Sequence, residues 1–340
     1  MPRATRFVIA VSALALLVSA CGGGSGGDRS KSRRPSTAAS TSPASSAPAS
    51  TRAGGALSIT AASWKLPSPS SREVVLTDGH QLFVVGGLDA AKQTTGSVVR
   101  IDPSTGSSQP AGSLVQPVHD AAGAVVNGTY LVVGGGTGEE GSAAVQSFGT
   151  DAAGKVVGNL PAPRSDHVAV ELDSKVYVVG GFDGHQIIRD VLVSDDGVRY
   201  RALGALAEPV RYPAAAAAGG AIYVFGGVTT ATGADTRAIQ KIDPASGQVT
   251  VVGQLPATLS HATAVVLGDQ VLVLGGFVNN QVTAQVLRFD PRTSAVTGAG
   301  SLPAPVTDGA AATVGDTAYL VGGQGTDRAP VAAVVTLKAG

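Results

Sequence analysis

LPAPRSDHVAVELDSKVYVVGG, running from Leu160 to Gly181, decides how this chain is built, because the chain states the same unit six times. A leucine opens the unit and a proline usually follows three residues on. A small apolar run comes next, a turn breaks it, and a second apolar run ends in Gly-Gly. The other copies begin at Leu66, Leu114, Leu206, Leu255 and Leu302. In all six the first glycine of the doublet (Gly86, Gly134, Gly180, Gly226, Gly275, Gly322) stands 20 residues after the leucine, and the copies recur every 46 to 49 residues. A period of that length points to a propeller or a solenoid, in which each unit buries its apolar face only against its neighbours.

Working outward, each unit reads as four short strands. In the third, the expected strands are 168–172, 175–180, 187–193 and 198–202. The turns before the fourth strand read Asp102-Pro103-Ser104-Thr105-Gly106, Asp243-Pro244-Ala245-Ser246-Gly247 and Asp290-Pro291-Arg292-Thr293-Ser294, with Asp195-Asp196-Gly197 in the third unit. Asp suits the first turn position, Pro fixes φ at the next, and Gly takes positive φ where the chain turns back. These are hairpin corners, so the sheets are antiparallel. The sixth unit has chain enough, 330–338, for a third strand and none for a fourth, while Leu57–Trp64 precedes Leu66 as fourth strands precede the later leucines. The expectation is an all-β, six-bladed β-propeller of four-stranded antiparallel blades over residues 57–340, its ring closed by the N-terminal strand.

Ahead of the repeats lie two other segments. Arg3 and Arg6 precede an apolar run from Phe7 to Val18, which marks residues 1–20 as a secretory signal. Val18-Ser19-Ala20-Cys21 then resembles a bacterial lipobox, which implies a lipid on Cys21, the one cysteine of the chain. Residues 21–56 are Gly, Ser, Thr, Ala and Pro with almost nothing to bury and read as a disordered tether. Arg29, Lys31, Arg33, Arg34 and Arg52 can lie against anionic headgroups or simply solubilise that tether. The expected location is the extracytoplasmic face of the cell membrane, with the lipid on Cys21 as the membrane contact.

The overall charge of zero hides a division: residues 57–340 carry 17 basic and 23 acidic side chains, residues 22–56 five basic and one acidic. An acidic globular part has no electrostatic footprint for nucleic acid.

Gly-Gly after a strand at this period, with paired apolar strands and Asp-Pro-x-x-Gly corners, resembles the kelch repeat family over nearly all of residues 57–340. The family's usual fourth-strand tryptophan is missing, and Trp64 is the single tryptophan, so packing between blades falls to Val, Leu and Ala. The resemblance implies that the loop entering each first strand and the loop after each second strand surround the mouth of a central channel and contact ligands. Fourteen residues before each doublet stand Arg72, Asp120, Asp166, Tyr212, His261 and Asp308. Their neighbours Arg164, His167 and Arg211 complete the candidate ligand-binding set, with His119 beside them and Asp89, Phe182, Asp183, His185, Phe277, Asn279, Asn280, Asp327 and Arg328 on the facing loops. Charged and aromatic groups converging on one mouth suit a sugar or a polar peptide, while loop residues are also polar because they are wet.

No catalytic residue is assigned. There is no G-x-S-x-G elbow, no cysteine nucleophile and no phosphate loop. The tyrosine–cysteine crosslink of kelch copper oxidases needs a cysteine other than an acylated Cys21. No two acids or histidines stand at a recognised metal spacing, so neither metal nor cofactor is expected. The leading expectation is a binding protein for a protein segment or an envelope carbohydrate. An alternative is a sugar epimerase or mutarotase, as the resemblance to exported kelch propellers suggests, and another is a scaffold docking through its rim.

Overall fold

In the computed structural model, residues 56–138, 141–149 and 152–340 are described. The signal segment, Cys21 and all but the last residue of the expected tether lie outside them. The described chain is built of strands, and in each unit the Gly-Gly doublet lies between the second and third strands of one sheet.

Four of the sheets have four antiparallel strands. One runs Val168–Leu172, Lys175–Val179, Asp190–Ser194, Arg201–Ala205. The next runs Ala214–Ala218, Ala221–Phe225, Ala238–Ile242, Val249–Gln254, and the third Thr263–Leu267, Gln270–Leu274, Gln285–Asp290, Ala295–Ser301. The fourth takes Ala310–Val314, Thr317–Val321 and Val334–Ala339 from the C-terminal end and Leu57–Ala61 from the other, paired from Leu57 opposite Ala339 to Ala61 opposite Val335. The N-terminal strand therefore does close the last sheet. Residues 74–159 form an eight-stranded sheet in two antiparallel runs, from Val74–Thr77 out to Ser108–Ser113 and from Ala122–Val126 out to Ala152–Asn159, joined by one parallel pairing of Ser113 with Ala153. This is the arrangement of a β-propeller.

The innermost strands pack side by side in a closed cycle: Val74–Thr77 beside Ala122–Val126, on through Val168–Leu172, Ala214–Ala218, Thr263–Leu267 and Ala310–Val314, and back to Val74–Thr77. Between sheets the core is Val, Leu, Ile and Ala with a few aromatics, such as Tyr223, Phe225 and Phe289 against Leu255 and Leu259. All six opening leucines are buried, and each donates its backbone N–H to the segment before a third strand, as Leu206 does to Arg189 at 2.7 Å.

The doublets explain themselves. All twelve glycines have positive φ. The second of each pair donates its N–H to a carbonyl of the following unit, Gly181 to Val210 at 2.8 Å and, across the closure, Gly323 to Ser70 at 2.9 Å. A Cβ on Gly180 would lie 2.5 Å from that same Val210 oxygen. Only glycine permits both the conformation and the approach.

The strand bounds of the third unit differ from the sequence reading. Its third strand begins at Asp190, because Ile187 makes only a bridge to Phe182. Its fourth begins at Arg201, because the Asp196 carboxylate accepts from the N–H groups of Val198 and Arg199 and prolongs the turn. In the last unit the strand likewise begins at Val334, with Pro330 bridged to Gln324.

Candidate functional site

Each inner strand is entered through a residue in the left-handed region. Arg72, Asp120, Asp166, Tyr212, His261 and Asp308 have φ between 51° and 60°. The residue before each is bridged to the residue after the doublet, Ser71 to Leu88 and Ser165 to Phe182 among them, so the two loops do share a face. A non-glycine residue in this region costs about 1–2 kcal/mol, and here the backbone has a compensation. The N–H of Asp120 donates to the Arg72 carbonyl, Asp166 to Asp120, Tyr212 to Asp166, His261 to Tyr212, Asp308 to His261, and Arg72 to Asp308, at 2.8 to 3.1 Å. The six candidates thus form a closed ring of backbone hydrogen bonds around the axis.

Their side chains line one cavity of about 240 Å³. Arg72 donates to the Asp120 carboxylate at 2.8 Å and stands 4.0 Å from Asp308. Asp308 is 2.7 Å from Nδ1 of His261, whose ring stacks on Tyr212 with centroids 3.8 Å apart. Arg211 pairs with Asp166 at 2.6 Å and donates to the Tyr212 hydroxyl at 3.0 Å, its guanidinium lying over the ring of Phe182 at 4.5 Å. On the rim, Arg328 lies over Phe277 at 4.4 Å.

The electrostatics of the ring follow from burial and from these partners. Burial pushes the Asp120 carboxyl up to about 8 against the pull of Arg72, with Asp166 and Asp308 adding to the rise. Asp166 is also raised by burial, opposed by Arg211. Asp308 is held below the usual carboxylate range: burial works against this, and His261 and Arg72 outweigh it. Burial also lowers Arg72, but Asp120 and Asp308 more than reverse it. Tyr212 is raised by burial and then by Asp120 and Asp166. Within one cavity, burial and pairing thus push the proton affinities of Asp120 and Asp308 in opposite directions.

Two of the nine candidates are drawn back from the mouth. Arg164 is 2% exposed, donates to the Gly180 carbonyl at 3.1 Å and lies 3.6 Å from Asp190, so it is packed behind the ring. His167 is buried with Nε2 3.0 Å from the Val133 carbonyl, and burial with Arg164 nearby lowers it to about 3. On the facing loops Asp89, Asp183 and Asp327 accept from backbone N–H groups of their own turns. Asn279 and Asn280 form the tip of a two-strand ribbon, Phe277–Val278 with Gln281–Val282. His119 is 2.9 Å from the Thr94 hydroxyl and 3.8 Å from the Asp120 carboxylate.

Sequence reasoning passed over Glu73. It is buried, its Oε2 accepts from Ser70 at 3.2 Å, and burial lifts it to about 8. The signal was present: Ala121, His167, Pro213, Ala262 and Gly309 hold the matching positions, so Glu73 is the one acid among them.

The kelch motif family model matches residues 163–193 and 258–303, the two stretches that carry the third and fifth doublets. The chain carries kelch motifs and folds as a β-propeller. The Kelch-like protein 23 of Pongo abelii is 28% identical over 157 residues, 45% of this chain and 27% of that protein. The Kelch-like protein 35 of Mus musculus is 31% identical over 128 residues, 37% of this chain and 22% of that one. The chain thus aligns with about a quarter of the length of these relatives. The structure of YjhT superposes with a TM-score of 0.69 at 14% identity, covering 81% of this chain and 99% of that one, which shows a shared fold.

Proposed function

We propose that this kelch-motif propeller is a binding protein whose ligand, a protein segment or an envelope carbohydrate, is held at the channel mouth. The observation that carries this is the ring itself: six side chains, fixed on one hydrogen-bonded backbone circle, are already paired and oriented over a cavity before any ligand arrives. Preorganised groups of this kind bind without the cost of ordering them. A volume of about 240 Å³ is below that of a drug-sized site, so the mouth suits one saccharide unit or one inserted side chain of a larger partner. In the same reading the two runs of the eight-stranded sheet count as two blades, which makes six, and the propeller is carried by Cys21 on the extracytoplasmic face of a membrane through the 21–56 tether.

The test is a thermal-shift screen of the full chain against neutral and acidic sugars, envelope glycan fragments and short peptides, repeated with Arg72→Ala and Asp166→Ala. A ligand at about 100 times its dissociation constant adds roughly 2.7 kcal/mol, and that shift is expected to vanish in both variants. A shift that survives both puts the site elsewhere. Membrane fractionation of Cys21→Ala tests the anchor, with loss of membrane association expected.

A second reading, sugar anomerisation or epimerisation, is favoured by the Asp120–Asp308 contrast. Two carboxyls pushed apart in one cavity form an acid and a base. Anomer exchange followed by NMR, with Asp120→Asn as the inactive control, decides it.

A further inference from the structure

Five of the six units have a second glycine, two residues before the opening leucine: Gly112, Gly158, Gly204, Gly253 and Gly300 hold that place, and Trp64 holds it in the first unit. The glycine lets the next unit close in. A Cβ on Gly158 or Gly204 would overlap the Val198 or Gly247 carbonyl oxygen of the following turn, and one on Gly300 would lie 2.9 Å from Ile59 Cδ1. At the junction between the last sheet and the first, Trp64 instead covers Gly106 of the opposing turn and donates its indole N–H to the Pro103 carbonyl at 3.1 Å. Beside it opens a cleft of about 770 Å³, roomier than the mouth, lined by Trp64, Asp102, Asp316, Thr336, Lys338 and His80 among others. The turns that border it, 77–80, 102–106 and 314–317, connect first strands to second and third to fourth, so the cleft opens on the face opposite the mouth.

We propose that this closure cleft is a second binding site and that its ligand is an uncharged saccharide stacked on Trp64. The indole is half-buried, and its bond to Pro103 holds the ring in one orientation, so it offers a platform at little entropic cost. Tyr319 stands beyond it, centroid 6.3 Å away, and backs the platform. The cleft lining holds both acceptors and donors: Asp102 and Asp316, which as carboxylates accept only, the Thr60–Thr336 hydroxyl pair at 2.9 Å, and the Lys338 ammonium. A sugar presents hydroxyls that both donate and accept, and an apolar C–H face that lies on an aromatic ring. Two carboxylates against one lysine leave the lining acidic, which disfavours an anionic ligand.

The experiment uses Trp64 as its own reporter, since it is the single tryptophan of the chain. The full-length protein is titrated with neutral trisaccharides of glucose and of N-acetylglucosamine, and with an acidic trisaccharide and a neutral tripeptide for comparison. A saturable change in tryptophan emission with a neutral trisaccharide is expected, with a dissociation constant on the order of 1 mM. Asp316→Asn, which keeps the turn and removes the charge, is expected to weaken it by about tenfold while leaving the melting temperature in place, and Lys338→Ala to weaken it less. Arg72→Ala at the mouth is expected to leave the titration unchanged, which separates this site from the one at the ring. The proposal is overturned if no neutral trisaccharide changes the emission, if only the acidic sugar or the peptide does, or if the titration is the same in Asp316→Asn and Lys338→Ala.

Discussion

The doublets and the mouth ring occupy the same six units, fourteen residues apart, and they differ in opposite ways. At the doublets every unit has the same two residues; at the ring the six read Arg, Asp, Asp, Tyr, His, Asp on one repeated backbone. The doublet is uniform because a neighbouring carbonyl occupies the space where a side chain would go. The ring varies because its backbone bonds are complete without the side chains, which project into a cavity rather than a neighbour. Uniformity thus marks what the fold requires at each junction, and variety marks where the molecule is free to build chemistry.

The sharpest way to break this comparison is to treat a doublet like a ring position. Gly180→Ala puts a Cβ 2.5 Å from the Val210 oxygen at a positive φ. It is expected to cost roughly 2 kcal/mol or more, seen as a fall of at least about 4 °C in melting temperature. An unchanged melting temperature would show that the doublet is not a fold requirement. Next, Arg72→Met removes the cation that faces Asp120 and Asp308. A loss of about 1–3 kcal/mol is expected, smaller than a doublet change because His261 still serves Asp308, while mouth binding is abolished.

The pH dependence is a further test. Glu73 and Asp120 are both raised to about 8 in the fold. An acid raised above its unfolded value stabilises fully below that value and loses the contribution as pH rises toward the folded one. Melting temperature should therefore fall between about pH 5 and pH 8, and Glu73→Gln should flatten the fall. His167 acts in the opposite sense: it is held neutral in the fold, so its contribution is present above its ordinary value and is lost as pH falls toward about 3. The smallest effect belongs to the rim, where Arg328→Ala removes a cation stacked on Phe277 and should cost about 0.5–1 kcal/mol of stability.

Much of the architecture was legible in the chain because a repeat tests itself. The leucine-to-glycine spacing, the hairpin corners and the closure by Leu57–Ala61 are local patterns or their continuation, and they needed no knowledge of neighbours. The six ring positions came from register together with the kelch resemblance, which implied that these loops surround the mouth. What register could not supply is direction. Arg164 and His167 sit beside ring members in sequence, yet their side chains turn back toward Gly180 and Val133. The shifted strands of the third unit trace to one carboxylate, Asp196, whose hold on two backbone N–H groups is not encoded in any strand propensity.

The sequence by itself determined the repeat, the glycines and the set of residues offered to the mouth, because steric demands on backbone recur with the unit and are written into it. Only the tertiary structure decided which of those residues meet. Arg72 and Asp308 stand at opposite ends of the propeller sequence and 4.0 Å apart in the ring, and Trp64 finds Pro103 only because the chain closes on itself. Contacts of that kind depend on closure, and closure is a property of all the units together.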